Sequence, residues 1–545
     1  MSRPTRFDPA IVPVATLSAA DYMADDGTDQ SAGLRAMAAA RAAIAGAVLL
    51  FFPTPRVAWH VVSDAPTGAN PVVVSLLGDT IIAGEPDGAG GGSLLTWAGV
   101  LHQGDFGNVA DTGAQQLFHL AGARVLLRDL TIQGDNDPFV AYANNQSAAI
   151  KAKSTDVLIR DVTFRTLVGF TAVDDFTGPG RNGMMRCTLD RCANGTNFGS
   201  DYSIQYRNRY ISTEGTEYAG APGLVALNDM QGGSISVGGD TAAGARKAGT
   251  LVVANSTNNS NAGVVAIIAE AYVDGWAQAN VIEGATKTAM QVGSSANADS
   301  DGNTVVDNYT RSAIQSGSGS IGLEIASPAS HSVVASNDVR GTTSGIEVRA
   351  SDVSLFDNTA DSGSAGANAI VLQATAQRAV LVGNAGTVHA QTGSTQVATP
   401  ARPTGASVKL FGDVTQGFAT LQVLNWDKAP FVSVTLGGVG LAPGDTYHIL
   451  HPYHLLDAVY QSGVYTGDPI PLAMRPVPPP TDWPVSTTEP LPTLGPRFHA
   501  FLVVQTGHES LLDYNPGARL HMLGGHFINL LLALFGRRAG QAVCA

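Results

Sequence analysis

The sequence predicts an all-β protein: a right-handed parallel β-helix (a solenoid) with an N-terminal capping helix and a small C-terminal β-sandwich domain. The main observation is a repeat in which asparagines recur every 21 to 29 residues. Between successive asparagines lies a second strand signal, in which apolar residues stand two apart. Such a repeat needs many turns, which glycine can supply. Glycine makes up 62 of the 545 residues, which is more than the roughly 7% of average globular chains.

Residues 1–54 are predicted to close one end of the solenoid. Ser31 is expected to cap an alanine-rich helix over residues 34–44, and Gly46 is expected to end it. The apolar residues 48–53 (VLLFFP) then predict a buried strand.

Three aspartates precede this helix, at Asp25, Asp26 and Asp29. Their number suggests calcium, but acidic residues also form turns and favour a helix N-terminus. A turn is the expected role.

Residues 55–400 are the predicted β-helix. Short strands with one apolar stripe cannot bury that stripe alone, whereas coils stacked about 4.8 Å apart bury it and pair every strand with its neighbours. Asparagine tolerates left-handed backbone and can hydrogen-bond along a column of turns. The repeating asparagines are Asn255, Asn280, Asn308, Asn337, Asn358 and Asn384.

The repeat continues towards the N-terminus with longer insertions. VLLRDLTIQG at 125–134 and VLIRDVTFR at 157–165 are near-copies, which predicts that they stack on adjacent coils. A further column is predicted from four segments on successive coils. These segments are AAIKAKS (148–154), GFTAVDD (169–175), GTNFGSD (195–201) and GLVALND (223–229).

The composition changes near residue 400. A Pro/Gly/Ser-rich linker precedes alternating strand patterns over residues 401–507, which predict the β-sandwich, and a proline-rich loop interrupts them. Residues 508–545 form a separate tail without an assigned role.

Charge and cysteine content exclude several function classes. The net charge of −14 argues against a nucleic-acid partner. No apolar run reaches the roughly 18 residues of a membrane span, so no membrane insertion is expected. The N-terminus also lacks a signal-peptide pattern. Cys187 and Cys192 have no metal-ligand spacing and are expected to be buried free thiols.

Residues 25–53 resemble the N-terminal segment of the pectate-lyase-like β-helix superfamily. That segment is a Gly-Asp-Gly-x-x-Asp-Asp turn, an alanine-rich capping helix and a strand ending in Phe-Pro. Asp26-Gly27-Thr28-Asp29 and Phe52-Pro53 match it, while Gln30 replaces the second Asp. The resemblance, of the phage tailspike and polysaccharide depolymerase type, implies polysaccharide binding or cleavage. It also implies a homotrimer in a virion tail or outside a cell.

Outward-facing acids on the predicted coils are the catalytic candidates: Asp174, Asp175, Asp201 and Asp229. Retaining glycosidases hold two carboxyls roughly 5–5.5 Å apart and inverting ones roughly 6.5–9.5 Å apart, so adjacent or next-nearest coils supply either spacing. Only one of Asp174 and Asp175 can occupy the regular outward position. The substrate-binding candidates are Lys151, Lys153, Arg181, Asn197, Tyr202, Tyr206, Arg207, Asn228 and Glu270.

Three functions remain open at this point. The leading hypothesis is a glycosidase-type polysaccharide-degrading protein, and the second is a non-catalytic receptor-binding or structural tail protein. The third is a polysaccharide lyase acting on a uronate polymer, which needs a basic residue and a neutralising cation. No cofactor is expected except possible Ca²⁺, for which Asn297, Asp299 and Asp301 have the start of a calcium-loop spacing. A polar turn is the default there.

Overall fold

The computed structural model describes residues 7–8, 11–63, 72–87, 91–99, 116–134, 148–167, 171–174, 180–192, 194–213, 215–219, 222–237, 247–258, 267–269, 272–285, 288–293, 300–312, 320–363, 368–483 and 485–506. Parallel strands from successive coils pair with one another in long rows, which confirms the predicted parallel β-helix. Antiparallel strands follow it near the C-terminus.

The first and second rows belong to one 24-stranded sheet, because the strands Val125–Gly134 and Val157–Arg165 contribute to both rows. The other first-row strands are Ala15–Ser18, Val48–Phe52, Thr80–Gly84, Gly183–Met185, Ile204–Tyr206, Leu224–Ala226, Leu251–Val253, Trp276–Gln278, Thr304–Val306, Val333–Ala335, Ser354–Phe356 and Val380–Val382. The other second-row strands are Trp59–Ser63, Ser93–Gly99, Thr188–Asp190, Arg209–Ile211, Asp229–Gln231, Ser256–Asn258, Val281–Ala285, Tyr309–Ser312, Asp338–Gly341 and Thr359–Ser362.

The third row is a separate 13-stranded parallel sheet. Its strands are Val72–Leu76, Gln116–Leu120, Ala148–Ala152, Thr171–Asp174, Asn194–Phe198, Gly215–Ala219, Ser234–Val237, Ile267–Ala269, Thr288–Val292, Ile321–Ile325, Ser344–Val348, Asn368–Leu372 and Val388–Ala390. A short four-stranded sheet borders the turns between the third and first rows, with strands Lys247–Ala248, Tyr272–Val273, Ser300–Asp301 and Ala329–Ser330.

The inward residues of the rows form one apolar core along the solenoid. In the first row, Val252, Ala277 and Val305 lie in direct register on successive coils and are buried. In the third row, Leu323 and Ile346 do the same. The third-row positions are the period-two apolar residues of the repeat, so the predicted inward pattern is confirmed for that row.

The asparagines form a buried ladder at the corner between the first and second rows. The ladder begins two coils before the predicted repeat, at Asn208, and runs through Asn228 to Asn384. The expected left-handed backbone falls one residue earlier, as at Leu227 (φ 55°) and Ala254 (φ 59°). This is a correction: the preceding residue makes the turn, and the asparagine side chain then satisfies the backbone of the corner.

The N-terminal helix Ser31–Ala42 covers the first coils with Leu34 and Met37. Ser31 is the first helical residue and not the cap that its sequence position suggested; the capping residue is Gln30. The Ser31 hydroxyl instead donates to the carbonyl of Val62 at 2.7 Å, joining the helix to the second row. None of the helices in the described part of the chain is long and apolar enough to cross a membrane.

The C-terminal region forms a five-stranded and a two-stranded antiparallel sheet around a common apolar core. The strands of the larger sheet are, in spatial order, Ala406–Asp413, Phe418–Asn425, Phe498–Gln505, Thr446–Leu450 and Gln461–Val464. The smaller sheet pairs Phe431–Val434 with Ile470–Ala473. Within the described ranges, short 3-10 helices span Ala19–Asp21, Val414–Gln416 and Pro452–His454.

Candidate functional site

The C-terminal domain lies on the outer side of the first row. Apolar side chains of that row, such as Leu224 and Trp276, share one core with Phe498 and Leu502 of the large C-terminal sheet. A polar contact supports this packing: the Gln278 side-chain amide donates to the carbonyl of Phe498 at 2.8 Å. This outer surface is therefore part of the protein interior.

A segment of the proline-rich loop, residues 485–489, lies over the second row and is called the strap below. The backbone N–H of Ser486 donates to Asp229 Oδ1 at 2.7 Å. The Glu283 carboxylate accepts from Thr488 through its N–H at 2.9 Å and its hydroxyl at 2.7 Å. These acids therefore bind the protein's own backbone.

Four of the proposed site residues are structural in this arrangement, which corrects their assignment. Asp229 is fully buried and also accepts from Ser256 Oγ at 2.7 Å, and Asn228 is a rung of the asparagine ladder. Tyr206 is buried under the C-terminal domain, and this burial raises the pKa of its phenol. Arg207 is buried and pairs with Asp457 and Asp482 of that domain.

The misplacement of Asp229 has a physical cause. The segment 223–229 has the same period-two apolar pattern as the third-row strands, but it forms a first-row strand, a ladder corner and the start of a second-row strand. The third row of this stretch is supplied by Gly215–Ala219 and Ser234–Val237. Periodicity alone does not distinguish one row from another, since each row has an inward apolar stripe.

The third row brings together three of the predicted residues. Lys151, Asp174 and Asn197 lie in direct register on successive coils, and His119 precedes them by one coil. Lys151 is only 4% exposed, whereas Asn197 is half-buried. Within the described residues, Asn197 Oδ1 has no hydrogen-bond partner. The register thus sets an ammonium group, a carboxyl-bearing residue and an amide at successive positions.

The other predicted residues lie apart from this group or outside the described residues. Arg181 forms an ion pair with Asp156 at 2.7 Å, and Tyr202 packs edge-on against Phe418 with ring centroids 5.7 Å apart. Asp201 is exposed in a turn, so the position one coil after Asp174 belongs to Asn197 and not to Asp201. Lys153 is partly exposed just after the strand of Lys151. Asp175 and Glu270 lie outside the described residues.

Further along the third row, two glutamates occupy adjacent coils. Glu324 and Glu347 lie in register and share Arg349, whose Nε is 3.1 Å from Glu324 and whose terminal nitrogen is 2.7 Å from Glu347. Gln373 also donates to Glu347 at 2.7 Å. The Arg349 guanidinium pairs with both acids, which suits a structural network better than a general acid.

The candidate calcium positions are occupied by protein contacts where they are described. Asp25 accepts from the N–H of Val57 at 3.0 Å, and Asp29 accepts from that of Val62 at 3.1 Å. Asp301 lies 2.8 Å from a ring nitrogen of His331, while Asn297 and Asp299 fall outside the described residues. Among the residues that the structure describes, no group of three or more His, Cys, Asp or Glu side chains could hold a metal ion.

The chain is therefore a parallel β-helix protein in which a C-terminal domain and strap cover the outer sides of two rows. No family model matches it, and no curated protein matches it. Solved structures do match. A surface adhesin of Streptococcus pneumoniae, PfbA, is 12% identical and covers 73% of this chain and 98% of its own, with a TM-score of 0.41.

Two further matches are a tailspike protein and an epimerase module. A tailspike protein of Escherichia coli bacteriophage HK620, in complex with a pentasaccharide, is 11% identical, covers 90% of this chain and 93% of its own, and has a TM-score of 0.41. The mannuronan C-5 epimerase AlgE6 A-module of Azotobacter vinelandii is 14% identical, covers 69% and 88%, and has a TM-score of 0.28. All three are parallel β-helix proteins, but they do not share one activity.

Proposed function

We propose that this protein binds a polysaccharide along the third row and cleaves it there by hydrolysis. One observation supports the location above the others. Lys151, Asp174 and Asn197 lie in register on successive coils of the third row, whereas the C-terminal domain and strap contact the first and second rows in the part of the chain that the structure describes. A polymer lying along the solenoid would meet one of these residues about every 4.8 Å.

The three residue types suit a polyhydroxylated ligand. Amide and ammonium groups donate hydrogen bonds to sugar oxygens, and an amide oxygen accepts one from a hydroxyl. Asp174 would be the first catalytic carboxylate, one coil after Lys151 in the register of the row. Hydrolysis needs a second carboxyl group, for which Asp175 and Asp201 are the candidates.

Non-catalytic binding is the second candidate function. Asp229 bonds the strap, so Asp174 is the one predicted catalytic acid that has third-row register within the described residues. A rigid β-helix that only binds a polysaccharide along its third row does not need two catalytic carboxyl groups. A location in a virion tail or outside a cell, and assembly as a homotrimer, belong to this proposal and would suit either function. Light scattering on the purified chain tests the trimer.

Incubation with a panel of capsular, neutral and uronate polysaccharides tests the proposal. New reducing ends without unsaturated-uronate absorbance support hydrolysis, whereas that absorbance supports a lyase. Asp174→Asn is expected to abolish cleavage and keep binding, while Asp361→Asn on the second row is the matched control. If a polymer is bound but not cleaved, the non-catalytic function is the one supported. If Asp174→Asn keeps full activity, Asp174 has no part in the mechanism.

A further inference from the structure

Three arginines form an exposed group on successive coils, called the arginine patch: Arg165, Arg191 and Arg209. Arg165 ends the second-row segment of its coil and lies in register with Asp190 on the next coil. Arg191 follows Asp190 directly, and Arg209 begins the second-row strand of the third coil. Strand and coil spacings of about 3.3 Å and 4.8 Å bring the three Cα positions within about 12 Å of one another.

The patch has fewer acids than arginines. Arg191 is 3.4 Å from Asp190. Arg209 is 3.6 Å from Asp229 Oδ2, while the other oxygen, Oδ1, accepts from Ser256 and Ser486. Within the described part of the chain, Arg165 has no hydrogen-bond or ion-pair partner. Its side chain is exposed, and those of Arg191 and Arg209 are 51% and 41% exposed. In a chain of net charge −14 this is a local excess of positive charge.

The patch borders the candidate site across one corner of the solenoid. The coil of Arg165 enters the third row at Thr171–Asp174, and the coil of Arg191 enters it at Asn194–Phe198. Those two strands contain Asp174 and Asn197. The same coils therefore contribute arginines on one side of the corner and the proposed sugar-binding residues on the other.

We propose that the arginine patch binds the acidic groups, carboxylate or sulfate, of an anionic polysaccharide whose chain crosses this corner into the third-row site. The inference rests on the proposed function and specifies its substrate class. Guanidinium groups bind planar or tetrahedral oxyanions through paired N–H donors and stay charged at all relevant pH values. An anion from the ligand also relieves the repulsion between neighbouring guanidinium groups.

Calorimetric titration with two matched polymer pairs tests the inference. The first pair is polygalacturonate and its carboxyl-reduced neutral form, and the second is dextran sulfate and dextran. The Arg165→Gln/Arg191→Gln double variant removes two charges from the patch. The Arg56→Gln/Arg340→Gln double variant removes two charges from exposed sites elsewhere and is the control.

We expect the patch variant to bind its acidic polymer at least about tenfold more weakly at low salt, as the loss of two charge-assisted contacts implies. Binding to the neutral form should change by less than twofold, and the control variant should bind both forms like the wild type. The acidic polymer that is bound identifies the anion. Unchanged melting temperatures exclude misfolding as the cause.

Two results overturn the inference. One is equal binding of the acidic polymers by the wild type and the patch variant. The other is tighter binding of a neutral polymer than of its acidic counterpart. If a neutral polymer is bound at least as tightly as its acidic counterpart and its cleavage depends on Asp174, the proposed function stands and this inference fails. If none of the polymers in this set or in the wider panel is bound, both fail.

Discussion

Asn255 Oδ1 accepts two hydrogen bonds from Asn228, one from its backbone N–H and one from its side-chain amide, each at 3.0 Å. The Asn228 amide also donates to the carbonyl of Gln205 at 3.2 Å. Each rung thus links three coils, and Asn280 repeats the pattern with Asn308. The ladder satisfies buried polar groups that the turn would otherwise leave unpaired.

Asn255→Ala is expected to lower the free energy of unfolding by about 2–4 kcal/mol, because it leaves buried donors and acceptors on both neighbouring coils without partners. Chemical denaturation measures the change. Asn384→Ala at the last, less buried rung should cost clearly less. Equal losses at the two rungs would contradict the ladder account.

The pH dependence of stability should report on Asp307, at the joint with the C-terminal domain. Burial raises the pKa of Asp307 from 3.8 to about 6, against the opposing effects of the Gln278 amide and the Arg497 charge. A pKa raised in the folded state means that the protonated form is favoured there. Stability from this group is full below pH 4 and is lost as pH rises through 6.

Asp307→Asn should remove this dependence and stabilise the protein at pH 7 by about 2 kcal/mol. This value is smaller than the full pKa shift implies, because Asp307 keeps part of its surface in solvent. Thermal melts at pH 4, 5, 6 and 7 measure the effect. Asp21→Asn, an exposed control, should keep the wild-type profile. A wild-type profile in Asp307→Asn would refute the assignment.

The strap should detach when its acceptor is removed. Glu283→Ala deletes the acceptor for Thr488 and for the N–H of Glu489, so these amides should exchange hydrogen about tenfold faster or more. Hydrogen-exchange mass spectrometry measures this in the strap peptide. Asp361→Ala, farther along the same second-row column, should leave exchange unchanged, and unaltered exchange in Glu283→Ala would show that other contacts hold the strap.

The two cysteines of the solenoid should be inert in the folded protein. Cys187 and Cys192 are free and buried, and burial raises the pKa of each thiol to about 12. Site-resolved mass spectrometry after iodoacetamide treatment should find neither alkylated at pH 8, and both alkylated in denaturant. Cys544 lies outside the described residues, and the prediction does not concern it.

The sequence was sufficient for the solenoid because stacking requires the same residue types at the same place in every coil. Asparagines at the corner and apolar residues two apart are such positions, and both patterns are confirmed. The rows could not be told apart in the same way, so Asp229 was assigned to the third row. The covering of Tyr206 and Arg207 depends on residues more than 200 positions away, such as Tyr453 and Asp482, which no local pattern indicates.

The arginine patch was also missed as a unit. Its members are spaced by 26 and 18 residues along the chain, and only the coil register brings them together. Single arginines in a sequence have no such signal. The third-row register of Lys151 and Asp174, by contrast, follows from two segments with the same pattern, and it was predicted.

The ladder corner also determines where this molecule can change during evolution. Two residues separate the first-row strand from the second-row strand in every coil from Met185 to Phe356, whereas the connections that enter and leave the third row vary widely, as between Val237 and Leu251. An insertion at this corner would break both the asparagine ladder and the packing of the first row against the C-terminal domain. Insertions beside the third row disturb neither, so the connections there can change in length and sequence while the scaffold stays constant.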